Sequence, residues 1–176
     1  MIVPDPPLAA AGVVLRARDD ADASWIEEAY DDPDVAEFIV NTPPPRRWTP
    51  SDDAELVIAD AADARPLGLI SLRIAELDPS LAAVGYWLRP EARGRGSATV
   101  AVQLLARWAF DELGVQRLEL TTAPENVVSQ RVAERAGFIR EGVLRGLHAS
   151  KSGGRQDSVM FSLLPADLDG SPTARS

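Results

Sequence analysis

Between residues 83 and 121 the apolar residues change period twice, from two to 3.6 and back. Ala83 to Arg89 (AVGYWLR) has the length and composition of a strand. Ser97 to Leu113 sets Val100, Ala101, Leu104, Leu105, Trp108 and Ala109 at helical spacing, and Gly114 supplies a left-handed stop. Val115 to Thr121 is again a strand, with alternating leucines. Strand, helix and strand in this order form a crossover unit whose helix lies between neighbouring strands. The fold class that follows is mixed α/β (α+β) in a single domain.

The flanking segments extend this unit. Gly12 to Arg18 alternates as a strand, and Asp19, Asp20 and Asp22 then offer cap and first-turn carboxylates for a helix through about Tyr30. Asn41 to Pro50 (NTPPPRRWTP) is too proline-dense for a helix and is expected to be a loop. Glu55 to Asp60 and Leu67 to Ile74 form an expected hairpin, and Asp78-Pro79-Ser80 an expected turn into the strand at 83, which makes a mainly antiparallel meander. Asn126 can cap a second helix through Ala136, stopped by Gly137. Ile139 to Leu144 and Ser158 to Leu164 are expected strands joined by a polar stretch that includes KSGGRQD. Residues 1–11 are expected to be an N-terminal extension, 12–164 the domain and 165–176 a flexible tail.

Composition excludes several chemistries. Cysteine is absent and there is one histidine, so disulfides, thiolate zinc sites and a cysteine nucleophile are ruled out and no metal is expected. A net charge of −9 argues against binding nucleic-acid phosphates. The charge is uneven: residues 1–64 carry 15 acids against 4 bases, whereas residues 65–176 carry 12 against 14. Met1 to Gly12 holds Asp5 and three prolines, unlike a signal peptide, and no stretch approaches a membrane span. A cytoplasmic protein with no membrane or nucleic-acid partner is expected.

The chemically informative segment is Arg89-Pro90-Glu91-Ala92-Arg93-Gly94-Arg95-Gly96-Ser97-Ala98, between strand and helix. A glycine turn opening a helix presents unpaired N–H groups at the positive end of the helix dipole, a site suited to phosphate. Arg93 and Arg95 add charge, and the small residues Gly94, Gly96 and Ala98 allow close approach. A P-loop needs Gly-Lys-Ser/Thr, and the only lysine is Lys151. A dinucleotide fingerprint also matches poorly, because Thr99 stands where its third glycine or alanine belongs.

Arg93-x-x-Gly96-x-Ala98 resembles the pyrophosphate-binding signature of the GNAT superfamily of acyl-CoA-dependent N-acetyltransferases. The surrounding run is GYWLRPEARGRGSA, a helix ending WAFDELGVQRLEL, then ENVVSQRVAERAGFIREGVLR and a terminal strand introduced by Asp157. It is similar to the RimJ/RimL branch of that superfamily. The resemblance implies a mostly antiparallel sheet splayed between the strands at 83–89 and 116–121, flanked by helices, with acetyl-CoA as the acyl donor. It implies transfer to a primary amine, either a protein N-terminus or a small molecule, and it is compatible with a homodimer. The branch carries a second helix before the second strand. Here about two dozen residues separate Tyr30 from Glu55, so that helix is expected to be shortened or lost.

The resemblance also implies roles. Arg93, Gly94, Arg95, Gly96, Ser97 and Ala98 would hold the pyrophosphate, and main-chain amides near Leu88 would polarise the thioester carbonyl, while the side chains of Trp87 and Leu88 pack in the core. Asn126 would meet the pantetheine arm and Ser129, one helical turn on, the sulfur; an N-cap role alone would also account for Asn126. Three bases stay open. His148 titrates in the useful range, Glu119 shares a strand side with Arg117 and Thr121 and could equally sit in a salt bridge, and water could serve in a clamped ternary complex. Two other classes compete with the enzyme: a non-catalytic acyl-CoA sensor and a nucleotide switch.

Overall fold

The computed structural model describes residues 2–31, 54–149 and 153–168. Eight strands form one sheet: β1 (Leu8–Ala10), β2 (Val13–Ala17), β3 (Ala54–Asp60), β4 (Pro66–Ala75), β5 (Asp78–Leu88), β6 (Arg117–Thr122), β7 (Ile139–Ala149) and β8 (Arg155–Leu163). Their spatial order is β1-β2-β3-β4-β5-β6-β8-β7. Among the described residues the longer helices that pack on the sheet are α1 (Ala23–Asp31), α2 (Ser97–Asp111) and α3 (Val127–Arg135). Neighbouring strands are antiparallel except β5 and β6, which the α2 crossover makes parallel.

Period-two alternation assigns the two faces. Ala82, Val84 and Leu88 of β5 and Leu118 and Leu120 of β6 enter the main core with Ala101, Val102, Leu105 and Trp108 of α2 and Ala133 of α3. The opposite face of β3, β4 and β5 carries Val57, Leu69 and Trp87, covered by Trp25 and Ile26 of α1. The Trp25 and Trp87 rings sit 5.9 Å apart, tilted.

Helix α1 is fastened to the sheet by a charged contact. Arg16 of β2 donates to both oxygens of Asp22 at 2.7 and 2.8 Å, and Trp25 Nε1 donates to Asp22 Oδ1 at 2.9 Å. Asp19 and Asp22 form a reciprocal capping box at the short 3-10 turn that leads into α1. The side chain of Asp22 is only 3% exposed.

Four boundaries differ from the sequence reading. Within the expected extension, Leu8–Ala10 forms β1, pairing Leu8 with Leu15. A three-residue, alanine-rich strand carries almost no β signal of its own. Asp78-Pro79-Ser80 opens β5 instead of making the turn. The only β4 partner in that triplet is Asp78, opposite Ala75, so the missing N–H of Pro79 breaks no ladder bond there. Strand β7 runs past Leu144 to Ala149 and β8 begins at Arg155, so much of the expected polar connection is paired strand. A register irregularity between Leu144 and His148 hides the period, and Asp157 Oδ1 bridges it by accepting from Gly146 N–H at 2.7 Å. Within the expected tail, Pro165–Leu168 is a helical turn, and 169–176 lies outside the described residues. The 41–50 loop and the shortened second helix also fall outside the described residues.

Removing one partner of the Arg16–Asp22 pair strands a buried charge, so Asp22→Ala should cost about 3 kcal/mol of stability, measured by urea unfolding. The hydrogen bonds from Arg16 hold the Asp22 carboxyl well below its ordinary range. A lowered folded pKa adds stability that is full above the unfolded value of about 3.9 and lost as pH falls through the folded value. The gap between wild type and Asp22→Ala should therefore narrow below that pH.

Candidate active site

Strand β5 ends at a tightly folded turn. Arg89 N–H donates to Leu67 O at 2.9 Å, a 3-10 turn follows at Pro90–Ala92, and Arg93 Nε reaches back to Leu88 O at 3.2 Å. Gly94 and Gly96 then adopt φ of 78° and 84°, the left-handed region where glycine is favoured. Gly96 caps α2 with no side-chain hydrogen bond, so the first-turn N–H groups of a 15-residue helix stay open to an incoming acceptor. Gly94, Arg95 and Gly96 are exposed, Ser97 is half-buried and Ala98 is buried. A Cβ built at Gly94 or Gly96 would meet no protein atom within 4 Å. Main-chain donors, an adjacent guanidinium and vacant space fit a diphosphate.

Beside this turn the sheet opens. Strands β5 and β6 pair at Leu81 with Arg117, Ala82 with Leu118 and Ala83 with Glu119, and no further. Beyond that point β5 keeps its β4 partners through Leu88, and β6 keeps its β8 partners through Thr122. Because Arg89 N–H points to β4, alternation turns the main-chain groups of Leu88 and Tyr86 the other way, into the gap. Arg93 already engages the Leu88 carbonyl, and the Leu88 N–H faces the parted region.

Helix α3 closes the α2 side of the gap. Asn126 Oδ1 accepts from Ser129 N–H at 3.0 Å, the N-cap bond expected of asparagine. The Ser129 hydroxyl lies 3.0 Å from the Tyr86 hydroxyl, which joins α3 to β5. Burial pushes the Tyr86 phenol up to about 12, with the Ser129 bond pulling modestly the other way. Sequence reasoning gave the Tyr86 side chain no role. The available signal was its hydroxyl, since a tyrosine on an inward strand position must find a hydrogen-bond partner.

Glu119, Thr121 and His148 lie on the opposite face. Glu119 and Thr121 alternate with the core residues Leu118 and Leu120. Glu119 is 8% exposed and accepts from Arg117 Nε at 3.2 Å, while Arg117 also grips both oxygens of Glu141, at 3.0 and 2.8 Å. Ser162 donates to Glu141 Oε1 at 2.7 Å, so this carboxylate pair is anchored across three strands. His148, expected in a polar loop, stands instead on β7 opposite Gln156, and its Nε2 comes within 3.5 Å of Thr121 Oγ1. Burial first, and then the charge of Arg155, lower the His148 pKa below its usual 6.5, so the imidazole is neutral at neutral pH. The fold thus unites Ser129, Asn126 and Tyr86 on one side of the gap and sets His148 and Glu119 on the other. Among the described residues no cluster of His, Cys, Asp and Glu could hold a metal, and no helix is long and apolar enough to cross a membrane.

Comparison with known proteins agrees with this geometry. Residues 8–139 match the model of the acetyltransferase (GNAT) domain. A Bacillus subtilis (strain 168) protein, YdaF, provisionally named a ribosomal N-acetyltransferase, is 37% identical over 109 residues, which span 61% of this chain and 58% of that relative. The match therefore covers less than two thirds of that relative's length. Spermidine N-acetyltransferase from Vibrio cholerae, solved in complex with CoA and spermine, superposes with a TM-score of 0.75 at 20% identity over 90% of this chain and 99% of that one. Mycobacterium smegmatis RimJ, solved with CoA-disulfide, gives 0.73 at 22% identity over 92% and 87%. The two solved structures share the fold, and the family model spans most of the chain: the protein belongs to the GNAT acetyltransferase family.

Proposed function

We propose that this protein is an acetyl-CoA-dependent N-acetyltransferase of the RimJ/RimL type, acting in the cytoplasm on a primary amine by direct attack in a ternary complex. The observation that carries the reading is the parting of β5 from β6 after Ala83 and Glu119, next to an open glycine turn at the head of α2. A closed sheet would leave no route from one face to the other. The proposed acceptor is a protein N-terminal amine or a small amine; one relative is named a ribosomal N-acetyltransferase, and one neighbour is a spermidine N-acetyltransferase.

Acetyl-CoA is a substrate in this scheme and supplies an activated acetyl thioester. The N–H groups at residues 94–98 and the Arg95 charge hold its diphosphate, and Asn126 lies along the arm. Leu88 N–H is the fixed dipole for the carbonyl oxygen, a contribution worth about 3 kcal/mol in other acyl-transfer enzymes. The amine lone pair forms the N–C bond, and the C–S bond breaks with its electrons on sulfur. Ser129 Oγ–H donates to the departing sulfur. The proton released from nitrogen goes to neutral His148 on the opposite face. Glu119 is the weaker choice of base, because Arg117 already engages its carboxylate. The acidic N-terminal third would draw in a cationic amine; Asp32 and Asp34 of that third fall outside the described residues.

Acetyl-CoA turnover against a panel of amines tests the whole reading: free CoA should appear with at least one acceptor, whereas a silent protein that still binds CoA would be a sensor. Gly96→Glu places a carboxylate where the diphosphate is held and imposes about 1–2 kcal/mol of left-handed strain, so calorimetry should show CoA affinity falling more than about 100-fold with the fold retained. Ser129→Ala should lower kcat about tenfold while leaving CoA affinity nearly unchanged. With His148 as base, kcat/KM should fall in acid below pH 6.5, and His148→Ala should remove that limb; an unchanged profile would hand the proton to water.

A further inference from the structure

Tyr86 is half-buried on the inward face of β5, past the last residue that pairs with β6. Its hydroxyl crosses to α3, where the Ser129 hydroxyl lies 3.0 Å away. The backbone of Ser129 is independently fixed by the Asn126 cap at 3.0 Å. The main chain of α3 thus sets where the Ser129 Cβ sits, and the remaining freedom is the χ1 rotamer and the rotation of the O–H, both of which a bond to Tyr86 restrains.

We propose that Tyr86 is a positioning residue that donates its hydroxyl proton to Ser129 Oγ and so turns the Ser129 O–H toward the sulfur of the acyl donor. The proposal rests on the acetyl-transfer reading and assigns a role to a side chain outside the glycine turn and the helix cap. The direction of the bond follows from acidity. A phenol is the stronger donor and an alkyl hydroxyl the better acceptor, and a serine oxygen that accepts one bond has its own proton left to give. Burial keeps the phenol protonated across the working pH range, so it always has a proton to give. No proton leaves Tyr86 during the reaction. As the C–S bond breaks its electrons pass to sulfur, Ser129 donates to that sulfur, and Tyr86 holds Ser129 in place.

Two measurements on the intact chain test this. Tyr86→Phe keeps the ring and removes only the donor, and Ser129→Ala removes the same bond from α3. In turnover assays Tyr86→Phe should lower kcat about tenfold with little change in KM for acetyl-CoA. The double variant should be no slower than Ser129→Ala alone, because both act through one hydroxyl. The second readout is the pH dependence of CoA binding by calorimetry. A directed Ser129 proton stabilises the thiolate, so wild-type affinity should rise as pH approaches the thiol range near about 8.5. Tyr86→Phe should lose most of that rise while binding equally well at neutral pH. Wild-type kcat in Tyr86→Phe, losses that multiply in the double variant, or an unaltered pH dependence would each overturn the assignment. A wild-type chain that binds CoA and acetylates no amine would defeat the acetyl-transfer reading instead, and the thiol titration would then still decide the role of Tyr86.

Discussion

A sheet that stops pairing in its middle leaves main-chain donors and acceptors without partners, and the rest of this molecule is arranged around that deficit. Buried N–H and C=O groups are costly when unmade. Here the partners run out after Ala83 and Glu119, while each strand keeps its outer neighbour. The outer hydrogen bonds keep β5 on β4 and β6 on β8 on either side of the gap. Arg93 takes the Leu88 carbonyl, Tyr86 reaches across to Ser129, and the Leu88 N–H remains directed inward. An extended chain with its own polar groups is the natural ligand for such an opening, and the pantetheine arm of a CoA thioester has that character.

The same opening connects two unlike surfaces. On the α2 and α3 face the surroundings are apolar core, with a hydroxyl pair at the gap. The other face of β6 carries the ion pairs of Arg117 with Glu119 and Glu141, and beyond them His148 beside Thr121. Desolvation acts differently on the two. It keeps the Tyr86 phenol protonated on one side and the His148 imidazole unprotonated on the other. A hydroxyl pair with its protons and an imidazole with a free lone pair are thereby separated by the sheet itself, and the proposed mechanism uses the first at the sulfur and the second at the amine.

Much of the frame was legible in the chain. The period change at 83–121 specifies the crossover, and the crossover specifies that β5 and β6 are parallel. Gly94 and Gly96 are read correctly as a turn because left-handed backbone is a local property. Asn126 is equally local, since an N-cap is defined by its own helix. The reading failed where an element is defined by what it pairs with and not by its own residues. Leu8–Ala10 is a strand only because Val13–Ala17 lies beside it. His148 left its expected loop because Asp157 and Arg155 hold the irregular end of β7 against β8.

The sequence by itself determined the local chemistry: a glycine turn heading a helix, a capped serine one turn into another, no sulfur or imidazole set for a metal, and a negative charge concentrated in the first third. Only the tertiary structure decided that Tyr86 would meet Ser129, that Glu141 of β7 would share Arg117 with Glu119, and that the imidazole would sit on the far face. The physical reason is range. Dihedral preference, capping and periodicity act over a few residues, whereas hydrogen bonds between side chains 43 residues apart exist only once the sheet has set the positions of both.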